Sequence, residues 1–248
     1  MNDSTVAQPD RLRYKLNSFL AGLVIMKSRV YFRRRLPHFQ PENASFFVTF
    51  RLTGSLPRDV ILRLKTEQRE AQKQVTKLAT QGNEEEYNKA LADQQKRYFG
   101  KFDEWLDKAV CGERWLSDER IAQLVYDAIL YRDEKQYNLI CFTIMPNHVH
   151  MVFSPLNAAQ PDKSRSKRKS GKYLLSPIME SLKGYTAGKA NKLLGRSGPF
   201  WQHESYDRVV RDGSELQRII KYVLNNPVKA GLTDRPELWK WTYLKDPS

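Results

Sequence analysis

Two histidines separated by one residue sit inside an apolar run, Pro146-Asn147-His148-Val149-His150-Met151-Val152-Phe153, and this run constrains the chain more than any other feature. It reads as a buried strand. Alternate residues of a strand share a face, so His148 and His150 project together while Val149, Met151 and Phe153 pack inward. Two imidazoles on one face can chelate one metal ion; two unrelated surface histidines are the plain alternative. The chain has only 4 histidines, and placing half of them two residues apart favours the metal pair.

Charge then narrows the partner. Lys+Arg number 42 against 28 Asp+Glu, a formal net charge of +14, which favours a polyanion over a neutral metabolite. Nucleic acid is the first candidate and anionic lipid the second. The 248 residues suffice for one large domain or two small ones with a buried core. Two cysteines, Cys111 and Cys141, support neither a disulfide framework nor a zinc cluster, which fits a reducing cytoplasm. Any metal must therefore be held by His, carboxylate or amide ligands. Near the N-terminus, Arg11, Arg13 and Lys15 precede the apolar stretch Phe19–Met26, but no small-residue cleavage site follows it and it is far short of the ~20 residues that span a bilayer. Neither export nor membrane insertion is expected. Residues 1–30 read as an extension, and Met26 is an alternative start.

Phe46–Thr53 alternates and is rich in aromatic and β-branched residues, so it is expected to be a strand closed by Gly54 and Ser55. From 57 to 110 the pattern is long, charged and helical, with Leu62, Leu64, Val75 and Leu78 in one stretch and Tyr87, Leu91, Tyr98, Phe102, Trp105 and Leu106 in the next. A break at Gln81-Gly82-Asn83 predicts a helical hairpin. Asp118 is placed to cap a further helix, a strand is expected at Tyr137–Ile144, and Met145-Pro146-Asn147 is the tight connection into the histidine strand. Residues 160–172, with Lys163 to Lys172 nearly all basic or small, read as a linker or a phosphate-contacting arm. Pro177–Leu194 predicts a helix with Tyr185 on its apolar side, Tyr206–Arg211 a short strand, and Leu216 to about Asn225 a last helix capped by Ser214 and stopped by Pro227. The order β, helices, β, β, helix, β, helix predicts an α+β fold with a ferredoxin-like antiparallel sheet.

Taken in order, Phe32-Arg33-Arg34-Arg35-Leu36-Pro37-His38, the strand from Phe46, Met145–His150, Gly198-Pro199-Phe200-Trp201-Gln202 with Asp207-Arg208, and Tyr222 ahead of Asn226-Pro227-Val228-Lys229-Ala230-Gly231-Leu232 form a series. This series resembles the REP-associated tyrosine transposases of the single-tyrosine HUH endonuclease superfamily. The resemblance implies one catalytic domain over 31–245 with the HUH endonuclease fold. The helical insertion at 57–110 is longer than the minimal family domain, and its role transfers least.

The family activity implied is nicking and joining of single-stranded DNA on REP-like hairpins: two histidines and a third polar ligand hold a divalent ion, Mg²⁺ or Mn²⁺, and a tyrosine attacks a phosphodiester to leave a 5′-phosphotyrosine and a free 3′-OH. Tyr222 is the expected nucleophile. Asn226 follows it at i+4, so a helical backbone puts both side chains on one face, where the amide can complete the His148/His150 site; Asn225 is the neighbouring alternative, and a helix-terminal amide is the plain reading. Tyr185 and Tyr206 lack that spacing to the Asn-Pro segment. Arg33, Arg34, Arg35, Lys183, Arg208 and Arg211 are the expected DNA contacts, with His203 and Glu204 read as strand-edge surface groups and Trp201 as either a base-stacking platform or core. Relatives include both monomers and dimers with exchanged tyrosine helices, so a homodimer is one expectation. A non-catalytic DNA-binding protein of the same fold is the competing reading.

Overall fold

The computed structural model describes residues 33–34, 36–37, 44–80, 84–108, 112–156 and 175–246. In chain order its elements are β1 (Arg33–Arg34), β2 (Leu36–Pro37), β3 (Phe46–Arg51), α1 (Arg58–Thr80), α2 (Glu84–Lys108), a single 3₁₀ turn at Trp115–Ser117, α3 (Glu119–Arg132), β4 (Tyr137–Ile144), β5 (His148–Pro155), α4 (Leu175–Leu193), β6 (Tyr206–Val209), α5 (Gly213–Lys229), a 3₁₀ turn at Pro236–Leu238, and β7 (Thr242–Leu244). The N-terminal extension at 1–30, Arg35, Cys111 and the basic linker at 160–172 lie outside the described residues.

β1 and β2 pair with each other, and the other five strands form one antiparallel sheet in the order β6-β3-β5-β4-β7. Setting aside the α1–α2 hairpin, the chain from β3 to β6 runs β-α-β-β-α-β, and its four strands take the order fourth, first, third, second, which is the ferredoxin-like arrangement. The expected α+β fold with an antiparallel sheet is present. β7, a three-residue edge strand against β4, is an addition that the sequence pattern did not announce.

Strand alternation sorts the core into two layers. Phe46, Val48 and Phe50 of β3 and Val149, Met151 and Phe153 of β5 face α3 and α4, packing on Ile121, Val125 and Ile129 and on Ile178 and Leu182. Phe47 and Val152 face the other way, onto Leu216, Ile220 and Val223 of α5 and Phe99 of α2. A bulge between Leu139 and Cys141 turns both Ile140 and Cys141 toward this second layer. His148 and His150 share the α5 side by parity. Across the sheet at their level runs a row of small hydroxyl residues, with Thr49 and Thr143 each opposite His150 and Thr242 opposite Thr143. These short side chains leave room for polar groups beneath α2 and α5.

Helix ends explain where the structure departs from the predicted bounds. Asp118 caps α3 as expected, accepting from Arg120 N at 2.9 Å. At α5 the cap is Asp212, which accepts from Glu215 N at 2.7 Å, while Ser214 donates to Asp212. Nor does Pro227 stop this helix. The terminator is Gly231, whose φ of 68° supplies a left-handed residue: its N–H bonds Val228 O and the Leu232 N–H bonds Pro227 O, each at 2.9 Å, the paired closure of a Schellman motif. Pro227 is carried inside the last turn, and Asn226 stays helical.

The α1–α2 hairpin joins the sheet through two chain segments that meet at Gly54 and Gly112. Both have positive φ, and a Cβ on Gly112 would stand 2.2 Å from the Gly54 carbonyl oxygen. Gly112→Ala is therefore expected to destabilise by about 1–3 kcal/mol through strain and clash. Gly184→Ala, in mid-helix with open space around it, should be neutral or stabilising by about 0.5–1 kcal/mol. Denaturant unfolding of the two variants checks this, and equal stability would refute the close-contact reading of the neck.

Candidate metal centre and tyrosine

His148 and His150 are fully buried, with their Nε2 atoms 3.0 Å apart. The hydrogen bonds behind His148 set its tautomer. Asn147 Nδ2 donates to the Leu106 carbonyl of α2 at 3.0 Å, which turns Asn147 Oδ1 toward His148 Nδ1, 2.6 Å away. An amide oxygen only accepts, so the proton sits on His148 Nδ1 and Nε2 presents a lone pair. Burial, reinforced by His150, holds the His148 pKa well below the usual imidazole range, in keeping with a neutral ring. His150 is steadied on its far side by Thr49, whose Oγ1 is 2.8 Å from Nδ1.

The third member comes from α2. Asp103 is 1% exposed and places Oδ1 3.1 Å from His150 Nε2. Burial works to raise its pKa, but attraction to His150, His148 and Lys229 outweighs burial and holds the carboxyl below its ordinary range. Lys229 of α5 lies 3.5 Å from Asp103 Oδ2 and 2.6 Å from Asp107 Oδ2. Asp107 is shifted the other way, upward, by burial and by Asp103.

One ligand atom each from Asp103, His148 and His150 falls within 4.8 Å of the others, and the bonding is incomplete without a cation. If His150 Nε2 donates its one proton to His148 Nε2, Asp103 Oδ1 has no donor, and Asp103 Oδ1 is indeed a buried oxygen without a hydrogen-bond partner. Such an orphan costs about 1–3 kcal/mol. A divalent cation would satisfy two imidazole lone pairs and the carboxylate together. The set of two nitrogens and one carboxylate oxygen suits Mn²⁺ and heavier first-row ions as well as or better than Mg²⁺.

Tyr222, Asn226 and Lys229 occupy one stripe of α5, spaced i, i+4 and i+7. Tyr222 is half-buried, its ring 5.6 Å from the His150 ring and edge-on to Phe47 and Phe99. Asn226 Nδ2 donates to Tyr222 Oη at 3.3 Å, and Asn226 Oδ1 is a second buried oxygen without a partner. The helix continuing through Pro227 is what holds this pair on one face.

Of the other predicted positions, Arg208 and Arg211 share the buried carboxylate of Glu215, tying β6 to the start of α5. Lys183 donates to the carbonyls of Gln202 and His203 and to Ser205 Oγ at 2.7, 2.8 and 3.2 Å. For Arg33 and Arg34 the description stops at their strand pairing. Trp201 belongs to the core: it is 6% exposed and its Nε1 donates to Thr186. Tyr185, expected to be buried, is 48% exposed and lies beside the Arg132 guanidinium. Tyr206 stacks near Phe99, and His203 and Glu204 are on the surface. Sequence reasoning missed Asp103 altogether. Its signal was an acid on the apolar stripe Phe99-Asp103-Leu106, where i, i+4, i+7 spacing places it on a buried face.

No family model matches the chain, and no curated protein matches it. A search of solved structures returns a REP-associated tyrosine transposase bound to a REP hairpin, at a TM-score of 0.42 and 11% sequence identity, covering 88% of this chain and 82% of that one. That likeness is too low to assign residues or activity, which must rest on the site itself.

Mn²⁺ titration followed by electron paramagnetic resonance should show one site that weakens at least about tenfold in Asp103→Asn and in either histidine-to-alanine variant. Undiminished binding in Asp103→Asn would remove the carboxylate from the ligand set.

Proposed function

We propose that this chain nicks and rejoins single-stranded DNA, with a REP-like hairpin carrying an unpaired flank as its substrate, through a covalent 5′-phosphotyrosine at Tyr222. The observation that carries the reading is the Tyr222–Asn226 turn set against the buried Asp103/His148/His150 cluster. Tyr222 Oη attacks phosphorus, the bond from phosphorus to the 3′ oxygen breaks, and that oxygen leaves with a proton as a 3′-OH; reversal by a 3′-OH restores the strand without ATP. Asn226, donating to Tyr222 Oη, stabilises the phenolate that develops during attack. His148, His150 and Asp103, with the Asn226 oxygen as a further donor, would hold Mg²⁺ or Mn²⁺. When bound, such an ion supplies Lewis-acid polarisation of the phosphate and fixes its orientation.

Tyr222 meets the histidines of its own chain, so the arrangement works in cis without a second copy. In this reading 31–245 is one catalytic domain, and the 57–110 hairpin is part of its site because α2 delivers Asp103. The same helix shields the ligands, all at or below 1% exposure, so α2 shifts to admit a strand. The net charge of +14 suits a DNA partner, and no helix among the described residues is long and apolar enough to cross a membrane. A cytoplasmic site of action, where DNA is present, belongs to the same proposal.

The test uses a hairpin oligonucleotide with a single-stranded flank and Mn²⁺. The wild-type chain should form an adduct that survives denaturing electrophoresis, and Tyr222→Phe, which removes one oxygen and keeps the ring, should form none while still binding the hairpin. An adduct in Tyr222→Phe that vanishes in Tyr206→Phe or Tyr185→Phe would move the nucleophile. Hairpin binding with no adduct from any form of the chain would favour a non-catalytic DNA-binding protein.

A further inference from the structure

Arg51 is the last residue of β3 and stands directly opposite His148 in the β3–β5 register. Directly opposed residues of antiparallel strands point to the same face with Cβ atoms about 4.5–5.5 Å apart, so Arg51 leaves the sheet on the histidine face, and its guanidinium reaches Ser55 and the Phe102 ring. It is 6% exposed. Among the described residues only its Nη1 finds hydrogen-bond acceptors, Ser55 Oγ at 3.0 Å and the Leu52 carbonyl at 3.5 Å, and no carboxylate pairs with it. Phe102 of α2 covers it, ring centre 5.8 Å from Cζ. Burial, and after it the positive charge of Arg51, lowers the Lys183 pKa to about 8. Burial lowers the Arg51 pKa, while Tyr98 and, after it, the surface carboxylate of Glu204 work against that shift without forming an ion pair.

A buried cation without a close counter-charge is costly, and an arriving anion would offset that cost. We propose that Arg51 is a phosphate subsite that grips the DNA backbone next to the phosphodiester presented to Tyr222, with the Lys183 ammonium, held by Gln202, His203 and Ser205, adding positive charge. Nε and Nη2 form the planar fork that matches two oxygens of one phosphate. The hydrogen bonds of Nη1 to Ser55 and Leu52 aim that fork and leave it free. Because Phe102 belongs to α2, the shift that uncovers the histidines uncovers the subsite too. The inference rests on the proposed DNA reaction for its substrate class, but its test needs no chemistry.

Binding of the full chain to oligothymidylate, measured by fluorescence anisotropy in EDTA across a salt series, gives a slope of log K against log salt. Arg51→Gln should reduce the magnitude of that slope by about 0.7, the value for one lost phosphate contact on a single strand, and Arg51→Lys should restore most of it. Lys183→Gln should give a similar reduction, and it carries the test if Arg51→Gln does not fold. Slopes equal to wild type in folded Arg51→Gln and in Lys183→Gln, or a lower melting temperature as the sole effect, would make Arg51 a strut of the hairpin neck and overturn the subsite. A chain that passes this test yet forms no tyrosyl adduct would refute the nicking reaction and leave the subsite standing.

Discussion

The α5 side of the sheet converges on one polar chain, the Leu106 carbonyl, Asn147, His148, His150 and Asp103, which is buried and is closed at the surface by Asp107 and the exposed Lys229. Polar groups removed from water are costly unless each finds a partner. Here the partners come from different parts of the chain. β5 supplies the imidazoles, α2 the carboxylate and a carbonyl, and α5 the lysine. The polar chain thus fixes where the long hairpin lies against the sheet and which stripe of α5 faces inward, while the surrounding apolar contacts of Phe47, Phe99 and Val223 exclude solvent from it.

The ferredoxin-like core makes this possible by using the two faces of the sheet differently. α3 and α4 cover one face with an ordinary apolar layer. On the other face the threonines beside His150 keep side chains short at the centre, and α2 and α5 close over the gap. Adding α5 beyond the β-α-β-β-α-β unit places Tyr222 over the histidine strand. The α1–α2 hairpin, which reads in the sequence as an insertion whose role transfers least from the resemblance, supplies a wall of the site through Phe99, Asp103 and Leu106.

Much of this was legible because period-two alternation is a local signal. The spacing of His148 and His150 placed both on one face, β4 matched its predicted bounds, and the Asp118 cap was readable from its position before an apolar-periodic run. What was not legible depended on partners distant in sequence. Asp103 becomes a site residue only when α2 docks on β5, and Tyr185, placed by helical spacing on the apolar side of its helix, is turned outward. Pro227 reads as a stop on local grounds, whereas the closure about one turn further on, at Gly231, decides where the helix ends. β7 has three residues and gains its strand character from pairing with β4, so no periodicity could reveal it.

The central claim is that Asp103, His148 and His150 form a metal centre against which Tyr222 is set. Crystals of the full chain soaked in Mn²⁺, with anomalous scattering collected near the manganese edge, address it directly. The account predicts one strong peak bonded to Nε2 of His148 and His150 and to Asp103, next to the Tyr222–Asn226 turn. A peak elsewhere, with the His148 and His150 nitrogens still paired to each other at their present separation, would contradict it.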